Sequence, residues 1–356
     1  MSAPSPFSIQ HDPQLPELLH RLGVTLALST YQAGKLVLLS AADENRLIQL
    51  PRSFDKPMGI AEDPATDRLA LACREEVIVL RNSTDLARFY PKAPDRYDAL
   101  YLPRATYHTG ALDVHDLTFG DGGRTLYAVN TRFSCLMTVD DRHNFTPVWQ
   151  PPGITALAAE DRCHLNGMAL EDGRPRYATA FSRTDTPRGW RPTVTESGVL
   201  WDVSTNEVVA EGLPMPHTPR LFNGRLYLLL SATGEVVEID RATGERRTVC
   251  APGGFVRGMA LAGEYLFVGL SKLRRESSTF GKLPFAGRAN VAGIAIVHLP
   301  TGARAGHIRY LSSVDEIYDV HVLGGKRRPN ILNTLTPDHR AALSTPEATY
   351  WGRLTP

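Results

Sequence analysis

The chain alternates short apolar runs with turn residues, and this pattern dominates it from about residue 24 onward. Runs such as RLALAC, TLYAVNT, RYATAFS, RLYLLLS and YLFVGLS are bounded by Gly, Pro, Asn or Asp, which is typical of β-strands joined by tight turns. Helical periodicity is convincing only in the amphipathic segment PELLHRLG, near residues 16–23. The pattern therefore predicts an all-β protein with one short helix near its start.

One phrase recurs six times: a polar residue, a small or apolar run and a turn, followed by another strand-like run. The copies are KPMGIAEDP around Met58, DVHDLTFGDG around His115, HLNGMALEDG around Asn166, HTPRLFNG around Thr218, VRGMALAG around Arg257 and YDVHVLGG around Asp319. Their anchors are on average about 52 residues apart, which suits four-stranded propeller blades. A second recurring turn, in VSTNEVV, DRATGERR and LPTGARAG, would join the two outer strands of a blade. The sequence therefore predicts a six-bladed β-propeller.

The two ends of the chain are expected to complete one blade together. Few strand-like residues follow the last phrase, near Asp319, whereas the N-terminal part offers three unassigned runs, TLALSTY, KLVLLSA and NRLIQLP. Pairing both ends in one sheet removes open sheet edges and closes the ring. We accordingly predict a single propeller over residues 24–335, a tail with a short helix over residues 1–23, and a peripheral C-terminal tail over residues 336–356.

Composition and charge argue against several classes of function. The 39 Lys and Arg residues against 38 Asp and Glu residues leave a formal net charge of +1, so no global field attracts nucleic acid or an anionic membrane. The four cysteines show no CxxC or zinc-ribbon spacing and are expected to be reduced core residues. No signal peptide is recognisable, and no run approaches the roughly 18 apolar residues of a membrane span. We therefore expect a cytoplasmic protein without nucleic-acid or membrane partners.

Polar residues occupy matching positions of the repeated phrase, and these positions meet at the central channel because the first strand of every propeller blade lines it. Imidazoles that converge from several strands resemble the site of a first-row divalent metal, with carboxylates as further ligands or partners. The alternative is that the histidines are structural, each bonded to a carbonyl or carboxylate nearby. The expected cofactor is a divalent ion, with Fe, Mn, Zn and Ca left open. The predicted ligands are His115, His164, His217, His321, Asp113, Asp116 and Asp319.

Three further residues are candidates for catalysis. Arg257 would hold an anionic group of a substrate, although Asp319 or Glu316 offers it a partner within the protein. Tyr107 and His108 precede the second copy of the phrase and could handle protons at one mouth of the channel. The alternative for these two is an ordered loop in which they only pack against their neighbours.

Two long polar segments are candidates for loops over the channel mouth. Residues 271–292 are strongly basic and form the best lid candidate. Residues 182–198 contain Trp190 and three arginines. The basic character of residues 271–292 would suit an anionic substrate or an acidic partner. The alternative for both segments is that their side chains are solvated and not catalytic.

Four phrases, STYQAGKL, NTRFSCL, DRCHLNGMAL and DEIYDV, occur in this order and resemble an uncharacterised bacterial family of conserved hypothetical proteins, some of which are fused to tetratricopeptide repeats. The similarity runs from about residue 14 to about residue 330. The resemblance agrees with a propeller and implies no particular activity. Likeness to metal-containing propeller enzymes, such as lactonases and carotenoid oxygenases, concerns architecture alone, because none of their local motifs occurs here.

Together these features predict a divalent-metal-dependent enzyme with its site at the mouth of the channel. Its substrate is expected to be small or anionic, either a small molecule or a peptide. The reaction class, whether lyase, hydrolase or oxygenase, is left open. The alternative is a non-catalytic propeller that binds a peptide or protein at one mouth and uses its channel histidines only for structure.

Overall fold

The computed structural model describes residues 5–273 and 291–353. Within these ranges, six sheets of four or five strands form a ring, and a two-stranded sheet lies outside it. The predicted six-bladed β-propeller is thereby confirmed. The strands of the first half are β1 (Ile9–His11), β2 (Val24–Thr30), β3 (Lys35–Asp43), β4 (Arg46–Ser53), β5 (Ile60–Asp63), β6 (Arg68–Ala72), β7 (Glu76–Asn82), β8 (Ala99–His108), β9 (Val114–Gly120), β10 (Thr125–Asn130), β11 (Cys135–Val139), β12 (Thr146–Trp149), β13 (Leu165–Glu171) and β14 (Arg174–Ala180).

The remaining elements follow the same meander of short strands. Strands of the second half are β15 (Gly198–Asp202), β16 (Glu207–Leu213), β17 (Pro216–Phe222), β18 (Arg225–Leu230), β19 (Glu235–Ile239), β20 (Arg246–Cys250), β21 (Phe255–Ala262), β22 (Tyr265–Ser271), β23 (Gly293–His298), β24 (Ala303–Tyr310), β25 (Asp319–Gly324), β26 (Pro329–Ile331), β27 (Ala342–Ser344) and β28 (Thr349–Trp351). The helices are α1 (Leu15–Leu22), α2 (Thr84–Arg88) and α3 (Asp338–Ala341), with a 3-10 turn at Arg191–Thr193.

Each blade is an antiparallel meander with one strand innermost. The innermost strands are β5, β9, β13, β17, β21 and β25, and each contacts the innermost strands of both neighbouring blades. We number the blades one to six in that order. The recurring turn joins the third and fourth strands in blades three, four and five, as predicted, at β15–β16, β19–β20 and β23–β24.

The sixth blade is built from both ends of the chain. Strand β25 pairs with β2, placing Ala27 opposite His321 and Ser29 opposite Asp319, and β3 and β4 complete the sheet. This closure was predicted from the three unassigned N-terminal runs. A sheet made from distant segments ties the ring shut because neither end can leave without breaking the ladder.

Peripheral segments extend the outer edges. Strand β1 pairs with β24 as the fifth strand of blade five, β26 adds to β8 in parallel, and β27 and β28 form a separate hairpin. Helix α1 buries Leu15, Leu18 and Leu19 in the core cluster that spans blades five and six. The longest helix in the described ranges has eight residues, and none of them is long and apolar enough to cross a membrane.

The hydrophobic core lies between adjacent blades rather than at the centre of the ring. One cluster joins Tyr177 and Leu200 of blade three to Leu228 and Val237 of blade four, and all four side chains are buried. Both faces of most blades therefore pack against a neighbour, which explains why the middle strands are apolar runs without a clean alternation.

Matching positions of the phrase connect each innermost strand to the next. Gly59, Gly167 and Gly258 alternate around the ring with Asp116, Thr218 and Asp319. We call these six residues the fourth positions, because each is the fourth residue of an aligned segment. The six segments begin at Lys56, Asp113, His164, Met215, Phe255 and Glu316. A Cβ on any of the glycines would lie 3.1 Å or less from the following blade's backbone. The three polar residues instead accept a hydrogen bond from a backbone N–H of the following blade.

Asp116 accepts from Met168 at 3.0 Å. Asp319 likewise accepts from Ile60 at 3.0 Å, and Thr218 does the same for Gly258. The carboxylates of Asp116 and Asp319, which the sequence suggested as metal ligands, are therefore engaged in holding blades together. A carboxylate that accepts a hydrogen bond from the backbone of the next blade stabilises the contact between the two blades.

Candidate functional site

A cavity of about 1320 Å³ opens at one mouth of the channel, where the loops lead into the innermost strands. We call it the mouth cup; it is bounded by one or more residues of every blade, among them Tyr31, Met58, His115, His164, His217 and Arg257. Cavities that hold organic ligands have about 300–1,000 Å³. The cup is therefore large enough for a ligand and for the water around it.

In four blades, a residue with a strained backbone conformation lies at the wall of the cup, just before the innermost strand. We call these residues first positions. Lys56, Asp113, His164 and Met215 have φ angles of 54°, 56°, 55° and 56°, in the left-handed region that non-glycine residues rarely adopt. Such conformations cost free energy and tend to occur where function fixes a side chain in place. Here they send the chain from a surface loop into the innermost strand and place these residues at the cup.

Two residues after these four positions, and after the matching Phe255 and Glu316 of blades five and six, the side chains form a layer around the channel. This third-position ring consists of Met58, His115, Asn166, His217, Arg257 and Tyr318. The imidazoles of His115 and His217 are nearly parallel, with centroids 6.3 Å apart, and Tyr318 meets His115 edge-on at 5.6 Å. Aromatic groups from blades two, four and six therefore approach one another across the channel.

The ring of His164 is held by three neighbours. Its Nδ1 lies 3.0 Å from a carboxylate oxygen of Asp161, and the other oxygen of Asp161 accepts from Trp190 Nε1 at 3.0 Å. The imidazole also packs against Phe181 and Trp190, with centroid distances of 4.5 and 4.4 Å, and these two rings contact each other. Since a carboxylate only accepts, Nδ1 carries the proton and Nε2 presents a lone pair.

The tautomer of His115 follows from its neighbours in the same way. The Thr131 hydroxyl donates its single proton to the Leu165 carbonyl, so it accepts from His115 Nδ1, which also lies 2.9 Å from the Asp113 carbonyl. His115 Nε2 is therefore a second bare lone pair. The centroids of His115 and His164 are 4.9 Å apart, so the two bases share one region of the cup.

Burial lowers the pKa of His115 to about 4, and the positive charge of Arg257 acts in the same direction. Burial also lowers the pKa of His217 well below its ordinary value, again with a contribution from Arg257. Both imidazoles are consequently neutral at pH 7. Burial alone would raise the pKa of Asp113, but His115, His164 and nearby cations outweigh it and lower that pKa.

Cations and aromatic rings form one wall of the cup. The Arg257 guanidinium lies 4.0 Å from the centroid of the Tyr318 ring, Tyr318 stacks on Tyr31 at 5.6 Å, and the Lys56 ammonium lies 4.5 Å from the Tyr31 centroid. Arg257 also donates to Glu316 at 3.0 Å. One of the two partners that the sequence offered to Arg257, Glu316, is thus its ion-pair partner.

Several cations at the cup form no close ion pair with a described carboxylate. Within the described ranges, Lys56, Arg188 and Arg191 have no carboxylate within 4.0 Å, although all three line the cup. Arg74 and Lys272 pair with Asp55 and Asp315. The unpaired heads create a local positive field that the net charge of the chain does not reveal.

A family model described as a domain of unknown function, DUF4915, matches residues 13–332. The chain belongs to this family. A search of curated protein sequences finds no significant match. The DUF4915 assignment agrees with the resemblance seen in the sequence and assigns no activity, so function has to be argued from the site itself.

Solved structures of low sequence identity share the fold of this DUF4915 chain. A chain in the crystal structure of a nidogen/laminin complex gives a TM-score of 0.55 at 11% identity, over 85% of this chain and 99% of that chain. A protein of unknown function from Bacteroides caccae gives 0.50 at 8% identity, over 84% and 98%. At these identities the likeness supports the propeller architecture alone.

The structure divides the predicted metal ligands of the DUF4915 chain among three levels of the channel. Asp113, His115, His164 and His217 line the cup. Below them, Asp116 accepts two hydrogen bonds from the Arg220 guanidinium, at 2.8 and 3.0 Å, and Asp319 lies at the same level. Burial raises the pKa of Asp319 to about 6 although Arg220 opposes this.

His321 lies further down the channel. Its Nε2 is 3.4 Å from Glu62, and both residues lie beyond the fourth positions of their strands. It has no ring contact with the other three predicted histidine ligands, so the expected four-histidine set is not assembled. Among the described residues, no three His, Cys, Asp or Glu side chains are arranged to hold a metal ion.

Tyr107 and His108 lie outside the cup. They end β8, the fourth strand of blade one, rather than a loop, and pair with Val77 and Glu76 of β7. The side chain of His108 is 82% exposed, and its Nδ1 lies 3.8 Å from a Glu76 oxygen. The five residues between β8 and β9, residues 109–113, return the chain to the cup, where Ala111 is the first to line it.

The structure describes the two basic segments to different extents. Trp190, Arg188 and Arg191 of the segment over residues 182–198 line the cup, and Trp190 is buried against His164. In the proposed lid, Lys272 and Leu273 line the cup, whereas residues 274–290 lie outside the described residues.

Several residues of the site were not singled out from the sequence. Asp161 precedes His164 by three positions in DRCHLN, which is a visible signal for an oriented imidazole. Tyr318 was overlooked because the last phrase was anchored on Asp319, one residue too late. Aligning the copies on the alternation of Gly with Asp or Thr would have placed Tyr318 with His115 and His217.

Proposed function

We propose that the mouth cup binds an organic acid or a peptide carboxylate and transfers a proton, with His164 as the base. The observation that carries the proposal is the Asp161–His164 pair, whose carboxylate fixes Nδ1–H and leaves the Nε2 lone pair at a cup lined by unpaired cations. An oriented imidazole beside a carboxylate is the arrangement that general-base catalysis requires.

The charges of the cup favour an anionic ligand. Lys56, Arg188 and Arg191 have no carboxylate within 4.0 Å in the described part of the chain, and the half-buried Arg257 acts on the pKa of both neutral imidazoles. Attraction between a guanidinium and a carboxylate strengthens where water is excluded. A carboxylate held near Arg257 of blade five would bring the rest of the ligand towards His164 of blade three, since both residues line the same cup.

The proton step can be written with these groups alone. A C–H or O–H bond of the ligand breaks, its proton moves to Nε2 of His164, and the electron pair stays on the ligand, where Arg257 compensates the developing negative charge. The imidazolium that forms is stabilised by Asp161 through Nδ1–H. Such a step belongs to a lyase or isomerase.

A divalent metal in the cup is the second form of the proposal, as the sequence suggested. The bare Nε2 atoms of His115 and His164 are the kind of atoms that a metal ion binds. Holding an ion would require the side chains to move, because no three metal-ligating side chains of the described residues are arranged around a common point. Loading the chelated protein with Mn, Fe, Co, Ni or Zn tests this form. A metal that raises the Tm of wild type but not of His164→Gln supports it, and no rise with any metal overturns it.

Binding of organic acids tests the first form. Thermal shift and calorimetric titration with mono- and dicarboxylic acids should show binding to wild type, about tenfold or more weaker binding to Arg257→Gln, and unchanged binding to Arg225→Gln. Arg225 is the control because it is an exposed arginine, in β18, that pairs with Glu238 outside the cup. Equal affinity of both variants for every acid would contradict the proposal.

A non-catalytic peptide-binding role is favoured by one observation, the size of the cup, which exceeds the common range for small ligands. It predicts tight binding of peptides with a free C-terminus and no proton exchange on the bound ligand. Deuterium incorporation at a carbon atom of a bound acid, measured by mass spectrometry after incubation in D2O and return to H2O, distinguishes the two roles. Carbon-bound hydrogen exchanges only when a base such as His164 removes it, and the exchange should be absent in His164→Gln.

A further inference from the structure

Three buried donors in the third-position ring have no hydrogen-bond partner in the described part of the chain. They are the Tyr318 hydroxyl, Nε of Arg257 and Nδ2 of Asn166. Asn166 and Tyr318 are 2% and 5% exposed. Buried polar atoms without partners are rare in folded proteins, and those that persist commonly meet a ligand, an ion or an ordered water molecule.

The three atoms without partners lie in the same layer of the channel, and all three are hydrogen-bond donors. They belong to blades three, five and six at the same position of the repeated phrase, and Arg257 and Tyr318 are in direct contact and line the cup. Each atom is a hydrogen-bond donor, and burial keeps the Tyr318 phenol protonated by raising its pKa well above the ordinary value. A set of donors without an acceptor is complementary to an oxyanion.

Existing protein partners leave these donors free. Glu316 accepts from Nη1 of Arg257, not from Nε, and the Asn166 side chain uses its oxygen to accept from Thr179. The carboxylate of Asp116, one residue beyond the ring, is occupied by Arg220 and by the Met168 N–H. The described residues therefore offer these donors no acceptor, and a bound ligand would supply one.

We propose that Arg257 and Tyr318 form an oxyanion subsite at the floor of the mouth cup that takes the carboxylate of the ligand. The inference rests on the proposed function, and it deepens it by stating where the acid group lies. The subsite orients the ligand so that its carboxylate is at the floor and its remaining atoms extend towards His164.

The chain provides a matched pair of tyrosines for a test. Tyr310 is also buried, and its hydroxyl likewise has no partner among the described residues, but it lies in the outer strand β24 and does not line the cup. Tyr318→Phe and Tyr310→Phe each remove one buried hydroxyl that has no hydrogen-bond partner in residues 5–273 and 291–353. Both variants should therefore fold and be at least as stable as wild type without ligand.

Calorimetric titration of acetate, succinate and phosphate, at ionic strength held constant with sodium chloride, measures the subsite. Tyr318→Phe should bind acetate and succinate about ten- to a hundredfold more weakly than wild type, the loss expected for one hydrogen bond to a charged group, and Tyr310→Phe should bind them as wild type does. Preference for phosphate over both carboxylates would overturn the assignment to a carboxylate.

Failure of the subsite and failure of the proposed function give different results. If wild type binds the acids and Tyr318→Phe binds them equally well, the subsite is wrong, while a loss of binding in Arg257→Gln still supports the anion-binding cup. If wild type binds no organic acid, the proposed function itself is overturned.

Discussion

Lowering the pH should reduce the free energy of unfolding of this protein, because the buried His115 is neutral in the folded state and would have to take up a proton. The side chain of His115 is 5% exposed, and burial lowers its pKa from 6.5 to about 4 in the folded state. A histidine whose folded pKa is depressed contributes stability that is present above pH 6.5 and is lost as the pH falls towards 4. The full effect is about 3 kcal/mol, of which about 2 kcal/mol is lost between pH 7.5 and pH 5.0.

Comparing wild type with His115→Asn isolates this contribution. Asn keeps a donor near the position of Nδ1 and does not titrate. Other groups also change with pH; Asp319, whose pKa is raised to about 6, favours the folded state as the pH falls, opposite to His115. The difference between the two proteins removes these shared contributions.

Urea unfolding at pH 7.5 and pH 5.0 provides the measurement. The free energy of unfolding of wild type should fall by about 2 kcal/mol more than that of His115→Asn between the two pH values. His108→Asn, at an 82% exposed side chain, is the control and should behave as wild type. Equal losses in wild type and His115→Asn would refute the buried neutral state of His115.

Two further substitutions test the contacts between blades. Asp116→Asn leaves the Arg220 guanidinium with a weakened partner and should lower the free energy of unfolding by about 3 kcal/mol, whereas Glu238→Gln, in an exposed ion pair, should change it by less than about 1 kcal/mol. Gly167→Ala places a Cβ 2.3 Å from Pro219 of the next blade and should cost about 3 kcal/mol or more. Both are read from urea unfolding at pH 7.5, and near-wild-type stability of either variant would mean that the blades do not meet as described.

The blade count was predictable because propellers repeat a local pattern. Each innermost strand needs the same sequence of a polar residue, an apolar run and a turn, so the six copies appear in the sequence without any knowledge of long-range contacts. Closure by both ends was predictable for the same reason, since the phrase around Asp319 lacked the outer strands that the N-terminal runs supply.

The chemistry of the channel was harder to predict because residues one position apart have different surroundings. Asp116 follows His115 directly, yet it bonds to the next blade while His115 lines the cup. From the sequence alone both were predicted to be metal ligands. The loops before the phrase differ in length, so the sequence does not show which residue of each innermost strand faces the cup. The role of Asp161 depends on a turn that brings it to His164 and Trp190, a contact that no periodicity encodes.

The nitrogen-15 spectrum of histidine-labelled protein tests the central claim most directly, because it reports which ring nitrogen carries the proton. His164 and His115 should both be protonated on Nδ1 at pH 7.5, and the Nε2 signal of His164 should move when an organic acid is added. Asp161→Asn should shift the proton of His164 away from Nδ1. A His164 protonated on Nε2 in wild type, or one that does not respond to any acid that binds, would contradict the acid–base role of the mouth cup.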